Sequence, residues 1–143
     1  IQPMKYHENI LIFGKGKVKY NPQMWEGKKE FHALGSGSPK SVHYPNSKFI
    51  RQHVGTLKYP KSILFFKKEF PPKHPTQKPV ALFEYLIKTY TNEGDLVLDN
   101  CAGSGTTAIA CLNTNRNYIL IEKEPEYIEI INNRINNLPT KLF

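Results

Sequence analysis

Asp95-Leu-Val-Leu-Asp-Asn-Cys-Ala-Gly-Ser-Gly-Thr-Thr107 is the stretch whose reading decides the fold. A short apolar run, Leu96 to Leu98, ends in a carboxylate, Asp99. Gly103-Ser104-Gly105 follows, then a helix-like segment from Thr106. Strand, tight glycine turn and helix N-terminus in this order open a nucleotide-binding α/β unit. Gly103, Gly105 and Ala108 fit the spacing G-x-G-x-x-G/A. A P-loop is excluded, because no Lys follows the second glycine.

Two flanking acids narrow the ligand. A pyrophosphate over the glycine turn would be repelled by Asp99 at the strand end. A cationic ligand would be attracted there, and S-adenosylmethionine carries both an ammonium and a sulfonium. Glu122 ends the next apolar run, Tyr118 to Ile121. An acid at the end of the second strand, about 20 residues past the turn, can accept both ribose hydroxyls.

The surrounding pattern alternates helix and strand. Val80, Phe83, Leu86, Ile87 and Tyr90 recur at helical spacing, with Pro79 suited to the first turn and Gly94 as the stop. Strand Leu96–Leu98, helix Thr106–Leu112 and strand Tyr118–Ile121 follow. Pro125 then opens an amphipathic helix through Leu138. This predicts an α/β fold with a parallel sheet. Only two or three strands follow residue 74, so the sheet is incomplete unless the first half or further chain supplies the rest. In that first half, residues 9–13 are apolar and β-prone, and Gly14-Lys15-Gly16 can turn them into a hairpin with 17–20. Residues 40–62 predict irregular structure, and Ser62–Phe66 predicts a strand.

The chain has 143 residues, 39% of them hydrophobic, enough for one domain or a domain with an appendage. No apolar run approaches a membrane span, and no signal peptide is visible. Two cysteines without CxxC spacing and five scattered histidines predict no metal site. A reducing cytoplasm is the expected setting.

Net charge is +8, unevenly placed. Residues 1–73 hold 14 Lys and Arg against 4 Asp and Glu, whereas 74–143 hold 6 against 8. Tyr20, Trp25, Phe31, Tyr44, Phe49, Tyr59, Phe65 and Phe66 interleave with the basic residues. Cations neutralise phosphates while aromatics contact sugars and bases, so a nucleic acid is the expected partner of the first half. Lys40, Lys48, Arg51, Lys58 and Lys61 are the candidate DNA contacts.

With these residues in view, the chain resembles the C-terminal portion of a β-class DNA amino-methyltransferase. His74-Pro75-Thr76-Gln77-Lys78-Pro79 looks like the family's H-x-T-x-K-P element, and Asp99 to Thr107 like its D-x-x-x-G-S-G-T-T cofactor loop. Tyr6-His7-Glu8 through Phe13, then Tyr20-Asn21-Pro22-Gln23, resembles the end of its catalytic block. The resemblance implies a Rossmann-like S-adenosylmethionine-dependent methyltransferase sheet with an irregular basic target-recognition insertion. It divides the chain into 1–23 (end of the catalytic block, a β-hairpin), 24–73 (target recognition) and 74–143 (cofactor binding). It implies that His74, Thr76, Lys78, Asp99, Cys101, Gly103, Ser104, Gly105, Thr106 and Glu122 bind S-adenosylmethionine. Thr76 and the backbone at a helix start are suited to the carboxylate of the methionine moiety.

The implied reaction moves a methyl group to an exocyclic amine of a base in double-stranded DNA, adenine N6 before cytosine N4. The expected setting is the cytoplasm of a bacterium, with the gene bacterial or phage-encoded and a cognate restriction endonuclease as a candidate partner. One departure stands out. Such chemistry needs acceptors that draw the amine lone pair out of conjugation and an aromatic face for the flipped base. The family supplies them in an Asp/Asn/Ser-Pro-Pro-aromatic tetrad, which this sequence lacks. No residue is therefore assigned as catalytic, and the chain, which begins at Ile1, is expected to be a fragment inactive by itself. A non-catalytic DNA-binding module with a vestigial cofactor pocket is the alternative. An NAD-dependent oxidoreductase is disfavoured by Asp99.

Overall fold

The computed structural model describes residues 7–31, 55–68, 70–71 and 77–138. The chain divides into two compact units, Pro22–Leu64 and the remainder, Ile1–Asn21 with Phe65–Phe143.

The larger unit holds the glycine-turn segment. Its elements are α1 (Val80–Tyr90), β1 (Leu96–Asp99), α2 (Thr106–Asn113), β2 (Asn117–Leu120) and α3 (Pro125–Asn136). Strands β1 and β2 are parallel, in register from Leu96 opposite Asn117 to Asp99 opposite Leu120. Parallel neighbours need a crossover connection, and α2 provides it. Six consecutive residues of α2, Thr106 to Cys111, are buried. That burial makes α2 the centre of the unit, packed against α1, β2 and α3. Ile87, Ala110 and Cys111 form the core cluster, with Val80, Phe83, Val97 and Tyr118 packed on it. Burial also pushes the Cys111 thiol up to about 11, which keeps it protonated.

Alternation along the strands turns Val97 and Tyr118 toward the helices. The other face carries Leu96, Leu98 and Ile119, which are 60%, 61% and 49% exposed. This sheet therefore has one covered face and one open apolar face.

The carboxyl end of α1 is fixed by distant residues. The Asn21 amide N–H donates to Thr89 O at 2.7 Å, and Asn21 Nδ2 donates to Thr91 O at 3.0 Å. Tyr20 rests against Tyr90, ring centroids 6.2 Å apart. Arg116 Nη2 donates to Thr91 O at 3.0 Å, and Lys19 pairs with Asp95 at 2.7 Å. Carbonyls orphaned at a helix C-terminus are thereby satisfied from outside the helix.

Residues 7–23 differ from the expected hairpin, for they contain no strand. Ile10, Leu11, Ile12 and Phe13 are exposed, Phe13 to 86%. An apolar, β-prone run becomes a strand only where a neighbour takes its backbone bonds, and 17–20 does not do so here. Ser62–Phe66 is likewise no strand. Phe66 instead packs on Tyr85 of α1, centroids 5.9 Å apart.

The described residues of the smaller unit hold regular structure where irregular chain was expected. It contains an antiparallel pair, β3 (Trp25–Phe31) and β4 (Gly55–Lys58), with Trp25 opposite Lys58 and a register irregularity between Glu26 and Phe31. Its pairing joins residues about thirty apart, which no local pattern announces. This pair is a separate sheet and adds no strand to β1–β2. No helix among the described residues is long and apolar enough to cross a membrane.

Candidate functional site at the carboxyl ends of the parallel strands

The acids singled out from the sequence stand at the carboxyl ends of the two parallel strands, and the glycine turn lies between them. Asp99 closes β1 and Glu122 lies two residues beyond β2. Open α/β sheets bind ligands at this end of their strands.

The two acids hold the turn in place. Asp99 Oδ1 accepts the Cys101 N–H at 3.0 Å, an Asx turn that starts the bend, and Oδ2 accepts the Thr107 hydroxyl. Glu122 Oε2 accepts the Gly103 N–H at 2.7 Å. Its Oε1 accepts the N–H groups of Lys123 and Glu124 at 2.8 and 3.1 Å. Backbone bonds add to this: Ala102 N–H to Ile121 O at 3.1 Å and Gly105 N–H to Ala102 O at 2.9 Å.

Both glycines are needed for conformation. Gly103 has φ 53° and Gly105 φ 76°, in the left-handed region that glycine enters without steric cost. Gly105 has a second reason. A Cβ there would stand 2.8 Å from Ile131 Cγ1 and 3.2 Å from Ile131 Cγ2 on α3. The close approach that requires glycine at 105 is therefore to helix α3.

The segment before α1 reaches the turn from another side. Ser104 Oγ donates to Gln77 Oε1 at 3.3 Å, and Thr106 Oγ1 donates to Lys78 O at 3.4 Å. Lys78 thus presents its carbonyl to the turn, while its ammonium pairs with Glu8 at 2.7 Å. The hydrogen bond from Lys78 holds the Glu8 carboxyl below its ordinary value. Arg134 of α3 completes the surround, with Nη1 donating to Ser104 O at 2.7 Å. A cleft of about 360 Å³ opens between β2 and α3, lined by Tyr118, Leu120, Glu122, Ile128, Ile131 and Ile135.

Of the residues expected at the cofactor, Lys78, Asp99, Cys101, Gly103, Ser104, Gly105, Thr106 and Glu122 come together here. Ser104 and Thr106 are buried beneath the turn and Cys101 is exposed on it. His74 and Thr76 lie outside the described residues, as do Lys40, Lys48 and Arg51 of the expected DNA contacts. Lys58 and Lys61 are in the smaller unit, where Lys61 Nζ stands 5.3 Å from the ring centroid of Trp25. The Trp25 indole N–H donates to Tyr59 O at 2.9 Å.

Sequence reasoning placed Thr107 in the cofactor loop and Gln77 in the His74–Pro79 element without giving either a role, and did not single out Arg134. Thr107 is readable in hindsight from its place one residue into α2, within reach of a carboxylate at the strand end. Arg134 has no such signal, because its contact spans thirty residues.

The first curated relatives align over less than half of the chain, and the chain spans at most about a quarter of their length. The Type II methyltransferase M2.MboI of Moraxella bovis is 47% identical over 66 residues, 46% of this chain and 24% of that protein. The DNA adenine methyltransferase YhdJ of Escherichia coli (strain K12) is 47% identical over 57 residues, 40% of this chain and 19% of that protein. A solved M1.HpyAVI–SAM complex is 31% identical with a TM-score of 0.46, over 78% of this chain and 58% of the other. The family model for DNA methylases of the N6/N4 type matches residues 2–133, which takes in the turn, both acids, α1, α2 and α3 as far as residue 133. The chain therefore belongs to the DNA methylase family.

Proposed function

We propose that residues 74–143 form the S-adenosylmethionine-binding part of a site-specific DNA amino-methyltransferase. The observation that carries this reading is the convergence of Asp99, the Gly103–Gly105 turn and Glu122 at the carboxyl ends of two parallel strands. The donor set fits the cofactor. Carboxylates suit a ligand bearing an ammonium and a sulfonium, and they oppose a pyrophosphate. The cleft beside Glu122 has apolar walls of Leu120, Ile128 and Ile131, suited to the flat face of a nucleoside. When bound, S-adenosylmethionine supplies an activated methyl group. Glu122 would take the ribose hydroxyls while sharing its carboxylate with the backbone N–H groups it already receives. Asp99 and Thr107 keep the turn closed on β1.

The target is DNA, with 24–73 as the recognition region and Lys40, Lys48, Arg51, Lys58 and Lys61 as phosphate contacts. Adenine N6 is the favoured acceptor, supported by the likeness to the adenine methyltransferase YhdJ. Cytosine N4 is the alternative within the class. A bacterial or phage-encoded enzyme working in the cytoplasm, with a restriction endonuclease as partner, fits the Type II relatives. We assign no acceptor-polarising residue to this chain, whose sequence lacks the tetrad that would supply one. Donor binding alone then gives no methyl transfer, since catalysis needs interactions made at the reacting amine.

Thermal unfolding with S-adenosylhomocysteine or NAD, each added in excess, tests the proposal. Ligand that binds only the folded chain raises its midpoint. A rise with S-adenosylhomocysteine and none with NAD supports it. The reverse pattern would assign the turn to a dinucleotide.

A further inference from the structure

We infer that Arg134 is a positioning residue for the glycine turn, holding Ser104 and Thr106 in the conformation the proposed cofactor site requires. The inference rests on that reading of the site.

The turn has an intrinsic weakness. Glycines at positive φ flank Ser104 on both sides, and glycine loses more conformational freedom on folding than any other residue. Something must hold Ser104 between them. Ser104 is only 3% exposed, so water does not serve its polar atoms freely. Its carbonyl accepts from Arg134 Nη1 at 2.7 Å, and its hydroxyl accepts from the same nitrogen at 3.2 Å. The hydroxyl donates onward to Gln77 Oε1. One guanidinium nitrogen thus fixes both oxygens of the residue between the glycines. Thr106, the first residue of α2, lies at 3.5 Å from that nitrogen.

The position of Arg134 in the chain does not explain this by itself. A cation in the last turn of a helix interacts favourably with the helix dipole, and Arg134 occupies that turn of α3. The dipole calls for positive charge near the helix end. It does not call for a guanidinium directed at a buried carbonyl thirty residues earlier. That direction gives α3 a second tie to the turn beside Ile131, which packs where Gly105 lacks a Cβ. The hydrogen bonds are charge-assisted and directional, a geometry that Arg meets better than Lys. Arg134 touches none of the groups expected to react, so its effect on a ligand runs through Ser104 and Thr106.

The test compares R134M and R134K with the unaltered 143-residue chain. Hydrogen exchange is followed at the Gly105 amide, which donates within the turn, and at the Ala110 amide in the centre of α2. In R134M, Gly105 exchange should quicken by about tenfold or more relative to Ala110, because a charged hydrogen bond to a buried carbonyl is lost. Affinity for S-adenosylhomocysteine, measured by calorimetry, should fall by a similar factor. R134K should lie between, keeping the charge and losing the planar, fixed direction in which Nη1 donates to Ser104. Should R134M not fold, R134K alone must still quicken Gly105 relative to Ala110. Unchanged Gly105 exchange, or equal quickening at both amides, overturns the inference. So does unchanged affinity in a variant whose turn has loosened. If the unaltered chain binds no S-adenosylhomocysteine, the cofactor reading fails, and the exchange comparison still decides whether Arg134 holds the turn.

Discussion

Replacing Gly105 by Ala probes whether the turn is shaped for helix packing. Two penalties add at this position. The backbone sits at φ 76°, where a Cβ costs about 1–2 kcal/mol. The new Cβ would also stand 2.8 Å from Ile131 Cγ1 and 3.3 Å from Ile131 Cβ, and Ile131 is buried at 7% exposure. Overpacking of this kind costs about 1–3 kcal/mol. Gly105→Ala should therefore lose about 2–5 kcal/mol, a large share of the roughly 5–15 kcal/mol that holds a domain folded. The packing share can be isolated. Ile131→Ala removes both crowding γ carbons, so in the double variant the backbone share and the 3.3 Å contact with Cβ remain. Urea unfolding of the four proteins, followed by circular dichroism, should show the double variant about 1–3 kcal/mol more stable than the two single losses predict. Additivity within about 0.5 kcal/mol would refute the contact between the turn and α3. A cost for Gly105→Ala under about 1 kcal/mol would refute the backbone conformation as well.

Glu122→Ala should lower stability by about 1–3 kcal/mol, because the part-buried Gly103 N–H loses its acceptor; calorimetry should also show weaker S-adenosylhomocysteine binding, and unchanged stability would detach Glu122 from the turn. Glu8 titrates below its ordinary value because Lys78 donates to it, so its contribution is present above the unfolded pKa and fades as pH falls through the lowered folded one. The midpoint difference between Glu8→Gln and the unaltered chain should therefore shrink on acidification, and a gap that persists well below the carboxylate range would rule the pair out as its cause. Charge reversal at Lys58 and Lys61 should weaken duplex binding without regard to base sequence and flatten its dependence on salt. An unchanged salt slope in a gel-shift titration would mean that these lysines make no phosphate contacts.

What could be read from the sequence divides by distance along the chain. The three helices and two parallel strands of the larger unit follow local rules: a 3.6-residue period with Pro79 or Pro125 at the start, and short apolar runs that each end in an acid, Leu96–Leu98 at Asp99 and Tyr118–Ile121 at Glu122. Asp99 and Glu122 were legible for the same reason, since each closes a run that identifies itself. The antiparallel pair of the smaller unit was not, because Trp25 meets Lys58 across an interval that holds no periodicity. The apolar run at 9–13 differs in the opposite sense, having the composition of a strand while no strand among the described residues pairs with it. The deepest gap concerns what the site residues do. From spacing alone, Glu122 is a ribose acceptor and Gly105 the second glycine of a nucleotide-binding turn. In the fold, Glu122 also receives three backbone N–H groups, and Gly105 makes room for Ile131. A carboxylate that ties the turn to the end of β2 is already ordered when a ligand arrives, which lowers the entropy lost on binding. The residues that shape the proposed pocket are thus the ones that fold it. For this reason substitutions at Glu122 and Gly105 must be read against stability before any loss of binding is assigned to ligand contact.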